Sequence, residues 1–114
     1  MRENIQLKLR THEDNALIKL KKKLLEIQPD SEIILYGSKA RGDDDKYSDI
    51  DILILVGSPI CKNLKTKIRE IVYNTELEYD VVFGTIIENR NFWQSPIANA
   101  MPIHWNIDKE GVVL

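Results

Sequence analysis

The chain has 114 residues, 43% of them hydrophobic and 30% charged, which suits one domain able to bury a core without disulfides or structural metals. A net charge of −2, from 16 basic and 18 acidic side chains, lacks the basic excess of a general nucleic-acid binder. The single cysteine, Cys61, cannot close an internal disulfide; with a polar N-terminus and no apolar run of membrane-spanning length, it fits a cytoplasmic protein.

From Thr11 a helical pattern begins. Leu17, Leu20, Leu24 and Ile27 recur at spacings of three and four and make one apolar stripe. Thr11 reads as its N-cap, with Asp14 completing a capping box. Lys19 and Lys21 to Lys23 fall mainly on the wet side, and Pro29 and Asp30 stop the helix. Ser31 to Tyr36 is a short apolar run, a buried strand that ends at Gly37. Ala40 to Ser48 is polar and turn-like, with Asp43 to Asp45 as a solvated tip. Asp49 to Val56 is a second strand: Ile50, Ile52, Ile54 and Val56 share one face, and Asp49, Asp51, Leu53 and Leu55 the other. Both faces turn apolar after Asp51, so this strand is expected to be central and covered on both sides.

Gly57-Ser58-Pro59 breaks the chain, and Leu64, Ile68, Ile71 and Val72 mark a second helix. Leu77 to Phe83 reads as a third strand. Ser95-Pro96 starts a further helix, Pro102 interrupts it, Gly111 ends it, and Val112 to Leu114 form a last strand. The alternation predicts an α/β (α+β) fold with a mixed sheet flanked by helices, because too few residues join the first two strands for a helical crossover. One domain, 1–114, divides into an N-terminal helix (1–30), a sheet core (31–84) and a C-terminal helix with a short strand (85–114). His12 and His104 have no metal-ligand spacing near them. Trp93 and Trp105 fit either the core or a patch for a partner.

The chemistry lies around residues 37–51. Asp49 and Asp51 point to one side of a strand, about 7 Å apart along the chain. Carboxylates converging to about 4 Å would repel by roughly 4 kcal/mol at an effective dielectric near 20. A divalent cation between them removes that penalty. Hard oxygen donors suit Mg²⁺, which recruits substrate phosphates to complete its shell. Gly37 permits a sharp turn directly after the first strand, and Ser38 can cap a short helix whose first N–H groups attract anions. One arm thus offers a phosphate seat and the other a metal seat. Asp80, read as lying inside the third strand, could complete a carboxylate triad and serve as a base.

Gly37-Ser38, ten intervening residues and then Asp49-Ile50-Asp51 resemble the minimal nucleotidyltransferases of the DNA polymerase β-like nucleotidyltransferase superfamily. Tyr79 to Phe83 looks like that family's third-acid strand, and the segment from Ser95 to Leu114 is similar to its closing helix and strand. The resemblance implies a polymerase β-like palm that binds ATP and Mg²⁺. It places Gly37, Ser38, Arg41 and Ser48 at the nucleotide, and Asp49, Asp51 and Asp80 as metal ligands, with Asp80 as the base. The implied reaction is attack of an acceptor hydroxyl on the α-phosphate of ATP, with pyrophosphate leaving.

Stand-alone members of this family, the MntA-type antitoxins, are often paired with a small helical HEPN-type toxin and transfer AMP to its tyrosine hydroxyl. That pairing is the leading expectation for the acceptor. A contact-only antitoxin and a homodimeric enzyme acting on a small molecule such as an aminoglycoside stand beside it.

Overall fold

The computed structural model describes residues 2–3, 7–43 and 47–114. Helix α1 spans Thr11–Ile27 and buries Ala16, Leu17, Leu20 and Leu24. Its N-cap is Arg10, not Thr11. The Arg10 N–H donates to Glu13 Oε1 at 3.0 Å, so Glu13, three residues on, closes the turn in place of Asp14. The chain continues through β2 (Glu32–Tyr36), a one-turn helix α2 (Ser38–Arg41) and β3 (Ile50–Val56). Then follow α3 (Lys62–Tyr79), β4 (Phe83–Asn89), α4 (Arg90–Trp93), α5 (Pro96–Asn99), α6 (Pro102–Glu110) and β5 (Val112–Val113); a two-residue β1 (Arg2–Glu3) lies at the start. Ser95 caps α5 through its hydroxyl, and Pro102 opens α6 as its first residue.

The sheet is mixed, in the order β1-β5-β2-β3-β4. Strand β2 runs antiparallel to both β3 and β5, whereas β4 is parallel to β3 across the α3 crossover. Central β3 is covered on both faces, as its apolar run requires. Ile50, Ile52, Ile54 and Val56 pack with Ile33, Leu35 and the stripes of α1 and α3, including Ile68 and Val72. Leu53 and Leu55 pack with Ile34, Trp93 of α4 and Ile107 of α6. The two tryptophans divide accordingly: Trp93 is buried, whereas Trp105 is 65% exposed. Buried His104 stacks on Trp93, with ring centroids 4.3 Å apart.

Two further sequence expectations differ from the structure. Residues 77–83 are not one strand. Helix α3 carries on through Tyr79, Asp80 is its C-cap in the left-handed region (φ 56°), and the strand begins only at Phe83. The sheet core does not end at 84, because β4 continues to Asn89. Of the expected acidic loop tip, Asp43 is exposed and Asp44 and Asp45 lie outside the described residues.

Candidate active site

Strand β2 ends at Tyr36, level with Asp51 on β3, and Gly37 then turns the chain with φ 75°. Few side chains tolerate that conformation. On the other flank of β3, Asp51 is level with Gly84 of β4. The Asp51 carboxylate spans both neighbours. A Cβ added to Gly37 would stand 2.5 Å from Oδ2, and one added to Gly84 would stand 2.6 Å from Oδ1. Two glycines thus form a cradle around this carboxylate, which lies on the α6 side of the sheet with Leu53 and Leu55. Asp49, directly before β3, is exposed.

The electrostatics mark a place short of positive charge. Burial pushes the Asp51 carboxyl above its ordinary value, the charge of Asp49 pushes it further and Glu110 adds to this; Arg41 acts against them. Across the strand pair, burial raises the Tyr36 hydroxyl, with Asp51 contributing. Hard carboxylate oxygens seated between two glycines, with a like-charge neighbour, fit a divalent cation that takes its remaining ligands from phosphate and water. Among the described residues no three acid, histidine or cysteine side chains gather closely enough to hold one by themselves.

The expected third acid is not there. Asp80 leaves α3 as its cap and lines a cleft of about 280 Å³ with His12, Glu13, Ser48 and Ile50, on the α1 side of the sheet. The β4 residue beside Asp51 is Gly84, which has no side chain to offer. Ser48, expected at the nucleotide, belongs to the same α1-side cleft. Gly37, Ser38, Arg41, Asp49 and Asp51 are the sequence-picked residues gathered at the β2–β3 end.

Two residues were missed. Glu110, the last residue of α6, accepts from Gly37 N–H through Oε1 at 3.1 Å and from Arg41 Nη1 through Oε2 at 2.9 Å. Arg41 Nε also donates to Asp43 Oδ2 at 3.1 Å. A sequence signal existed for Glu110: an acid in the last turn of a helix opposes the helix dipole. Lys39 is 1% exposed and forms an ion pair with buried Glu13, tying α2 to the start of α1. The larger cleft, about 540 Å³, lies elsewhere on the α6 side, among Glu32, Arg90, Trp93, Asn99, His104 and Asp108. It contains none of the paired aspartates.

Residues 17–102 match the family model of the nucleotidyltransferase domain. The chain belongs to that family. Two proteins of Methanocaldococcus jannaschii, each provisionally named a protein adenylyltransferase, are similar to this nucleotidyltransferase domain. One is 46% identical over 55 residues, 48% of this chain and 56% of the relative. The chain thus matches little more than half of that relative's length. The other is 39% identical over 84 residues, 72% of this chain and 75% of the relative. Two crystal structures share the fold at 20% identity. One is a toxin–antitoxin with AMP-PNP (TM-score 0.57, 86% of this chain, 68% of that one). The other is a tyrosine-to-alanine mutant of the toxin–antitoxin MntA–HpeT (TM-score 0.58, 94% and 72%). Among the described residues, no helix of this nucleotidyltransferase domain is long and apolar enough to cross a membrane.

Proposed function

We propose that this nucleotidyltransferase domain transfers AMP from ATP to a hydroxyl of a partner protein, the acceptor being a tyrosine of a small helical HEPN-type toxin. The observation that carries this reading is the Asp51 carboxylate, cradled between Gly37 and Gly84 beside Asp49 and next to the Gly37-Ser38 turn. Asp49 and Asp51 would hold Mg²⁺, which when bound neutralises charge on the triphosphate. Gly37, Ser38 and Arg41 receive the phosphates: the turn lets the backbone come close, and the guanidinium matches phosphate oxygens. The fold then needs only to align the acceptor oxygen with the α-phosphorus. A P–O bond forms to the acceptor, the bond to pyrophosphate breaks, and the hydroxyl proton is released. Asp80 and Ser48 stand apart from this step. Similarity to relatives named protein adenylyltransferases supports a protein acceptor, and the toxin–antitoxin neighbours support its class.

The test is intact mass spectrometry of a HEPN-type partner after incubation with the domain, ATP and Mg²⁺, with an aminoglycoside offered in parallel. Mass gains in adenylyl steps on the partner, absent with Asp51→Asn and absent when the partner's acceptor tyrosine is replaced by phenylalanine, support the reading. No gain on the partner, or transfer to the aminoglycoside alone, refutes it.

A further inference from the structure

The position of Glu110 follows from strand register. Ile34 pairs with Val113 and Leu35 with Val112, so continuing β2 and β5 by two residues sets position 110 opposite Gly37. The ladder does not reach that level, because Glu110 still belongs to α6. Its side chain stands in for the missing strand partner. One carboxylate oxygen accepts the Gly37 N–H, and the other accepts Arg41 Nη1. The side chain is 19% exposed, which is low for a carboxylate that faces the negative end of its own helix and adds to the negative field on Asp51. Two charge-assisted bonds to one turn compensate for that position. Both recipients belong to the turn assigned above to the triphosphate.

We propose that Glu110 is the positioning residue of the nucleotide site: it holds the Gly37 turn and aims the Arg41 guanidinium at the phosphates. A guanidinium has five N–H groups, and Glu110 and Asp43 engage Nη1 and Nε, so the carboxylates can fix its plane while N–H groups remain for phosphate. This inference rests on the nucleotidyltransferase reading. Glu110→Gln keeps an acceptor for Gly37 but removes the charge that holds Arg41, whereas Glu110→Ala removes both.

The experiment measures the affinity for a non-hydrolysable ATP analogue with Mg²⁺ in wild type, Glu110→Gln, Glu110→Ala, Arg41→Ala and the double variant Arg41→Ala/Glu110→Gln. Glu110→Gln should bind about tenfold more weakly, and Glu110→Ala more weakly still. The double variant should bind no more weakly than Arg41→Ala alone, since Glu110→Gln acts through Arg41. A merely structural role for Glu110 would give additive losses. Additive losses overturn the inference but leave the functional reading intact. So does unchanged or tighter binding by Glu110→Gln, tighter binding being the mark of a carboxylate that competes with phosphate. Failure of the wild type to bind the analogue overturns the reading, and the inference with it.

Discussion

Asp51 is held where its charge is disfavoured. Burial is the main cause, the Asp49 carboxylate is the next, and Arg41 only partly opposes them. A group whose folded-state pKa is raised contributes stability that is present below its unfolded value and lost as pH rises through the folded value. The metal-free protein therefore carries a cost at neutral pH that Asp51→Asn removes. The melting temperature of Asp51→Asn without metal should rise by a few degrees at pH 7 and converge on wild type below pH 4. Its transfer rate should fall on the order of 100-fold or more, as lost metal-borne charge stabilisation of several kcal/mol implies. Asp80 separates the geometry from the family pattern. Asn tolerates the left-handed conformation that Asp80 adopts, so Asp80→Asn should keep its fold. Its rate should stay within about threefold of wild type, and a loss matching that of Asp51→Asn would show that the acid moves into the site. Asp49, Asp51 and Gly37 were legible because their meaning lies in short-range spacing. The partners of Glu110 and Lys39 were not, because they are distant in sequence: Gly37 is 73 residues from Glu110, and Glu13 belongs to another helix.

At the scale of elements, the misreading of residues 77–83 has a physical cause. Leu77, Tyr79, Val81 and Phe83 alternate as a strand does, but Leu77 is 66% exposed on a helix whose buried face is carried by Ile68, Val72 and Thr75. Asp80 reverses the chain in the left-handed region, which Asp enters more readily than most residues. The true strand is then read from Phe83 and Ile87, both buried against the α1–α3 layer. Strands β2 and β3 were legible almost to the residue, because a central strand buried on both faces has few alternatives. The shift of β4 decides what stands beside Asp51. Gly84 occupies that level, so Gly84→Ala drives a Cβ to 2.6 Å from the carboxylate. The backbone of β4 is paired along seven positions with β3 and cannot easily yield. The displaced carboxylate should weaken Mg²⁺-dependent nucleotide binding by about tenfold or more, measured by titration calorimetry, with little change in stability, because the atom that must yield is the end of the Asp51 side chain. Binding equal to wild type would show that Asp51 has room to rotate away from the cradle.

Across the whole molecule, the site depends on a layer it does not touch. The turn that follows β2 is tied to the far helical layer by buried Lys39, whose ammonium meets the Glu13 carboxylate at the start of α1. Glu13 also accepts the Arg10 N–H, so one carboxylate caps α1 and clamps α2. Burial pushes the Glu13 carboxyl up, but the Lys39 and Arg10 hydrogen bonds and charges together outweigh it and hold it below its ordinary value. The sign is therefore opposite to that of Asp51: the contribution is present above the unfolded-state pKa and is lost as pH falls through the folded value. Glu13→Gln removes the carboxylate that the buried Lys39 ammonium meets, which should cost about 3–5 kcal/mol at pH 7. For a domain of this size that lowers the melting temperature by roughly 12 °C or more. The gap between wild type and Glu13→Gln should shrink as the pH is taken below about 4, where wild type protonates Glu13 too. Glu13→Leu combined with Lys39→Met should regain most of the loss, because an apolar pair of similar size leaves no charge to bury. Thermal melts of the three variants from pH 3 to pH 8 check this, and a gap that persists unchanged at pH 3 would mean that Glu13 acts through packing and not through its charge.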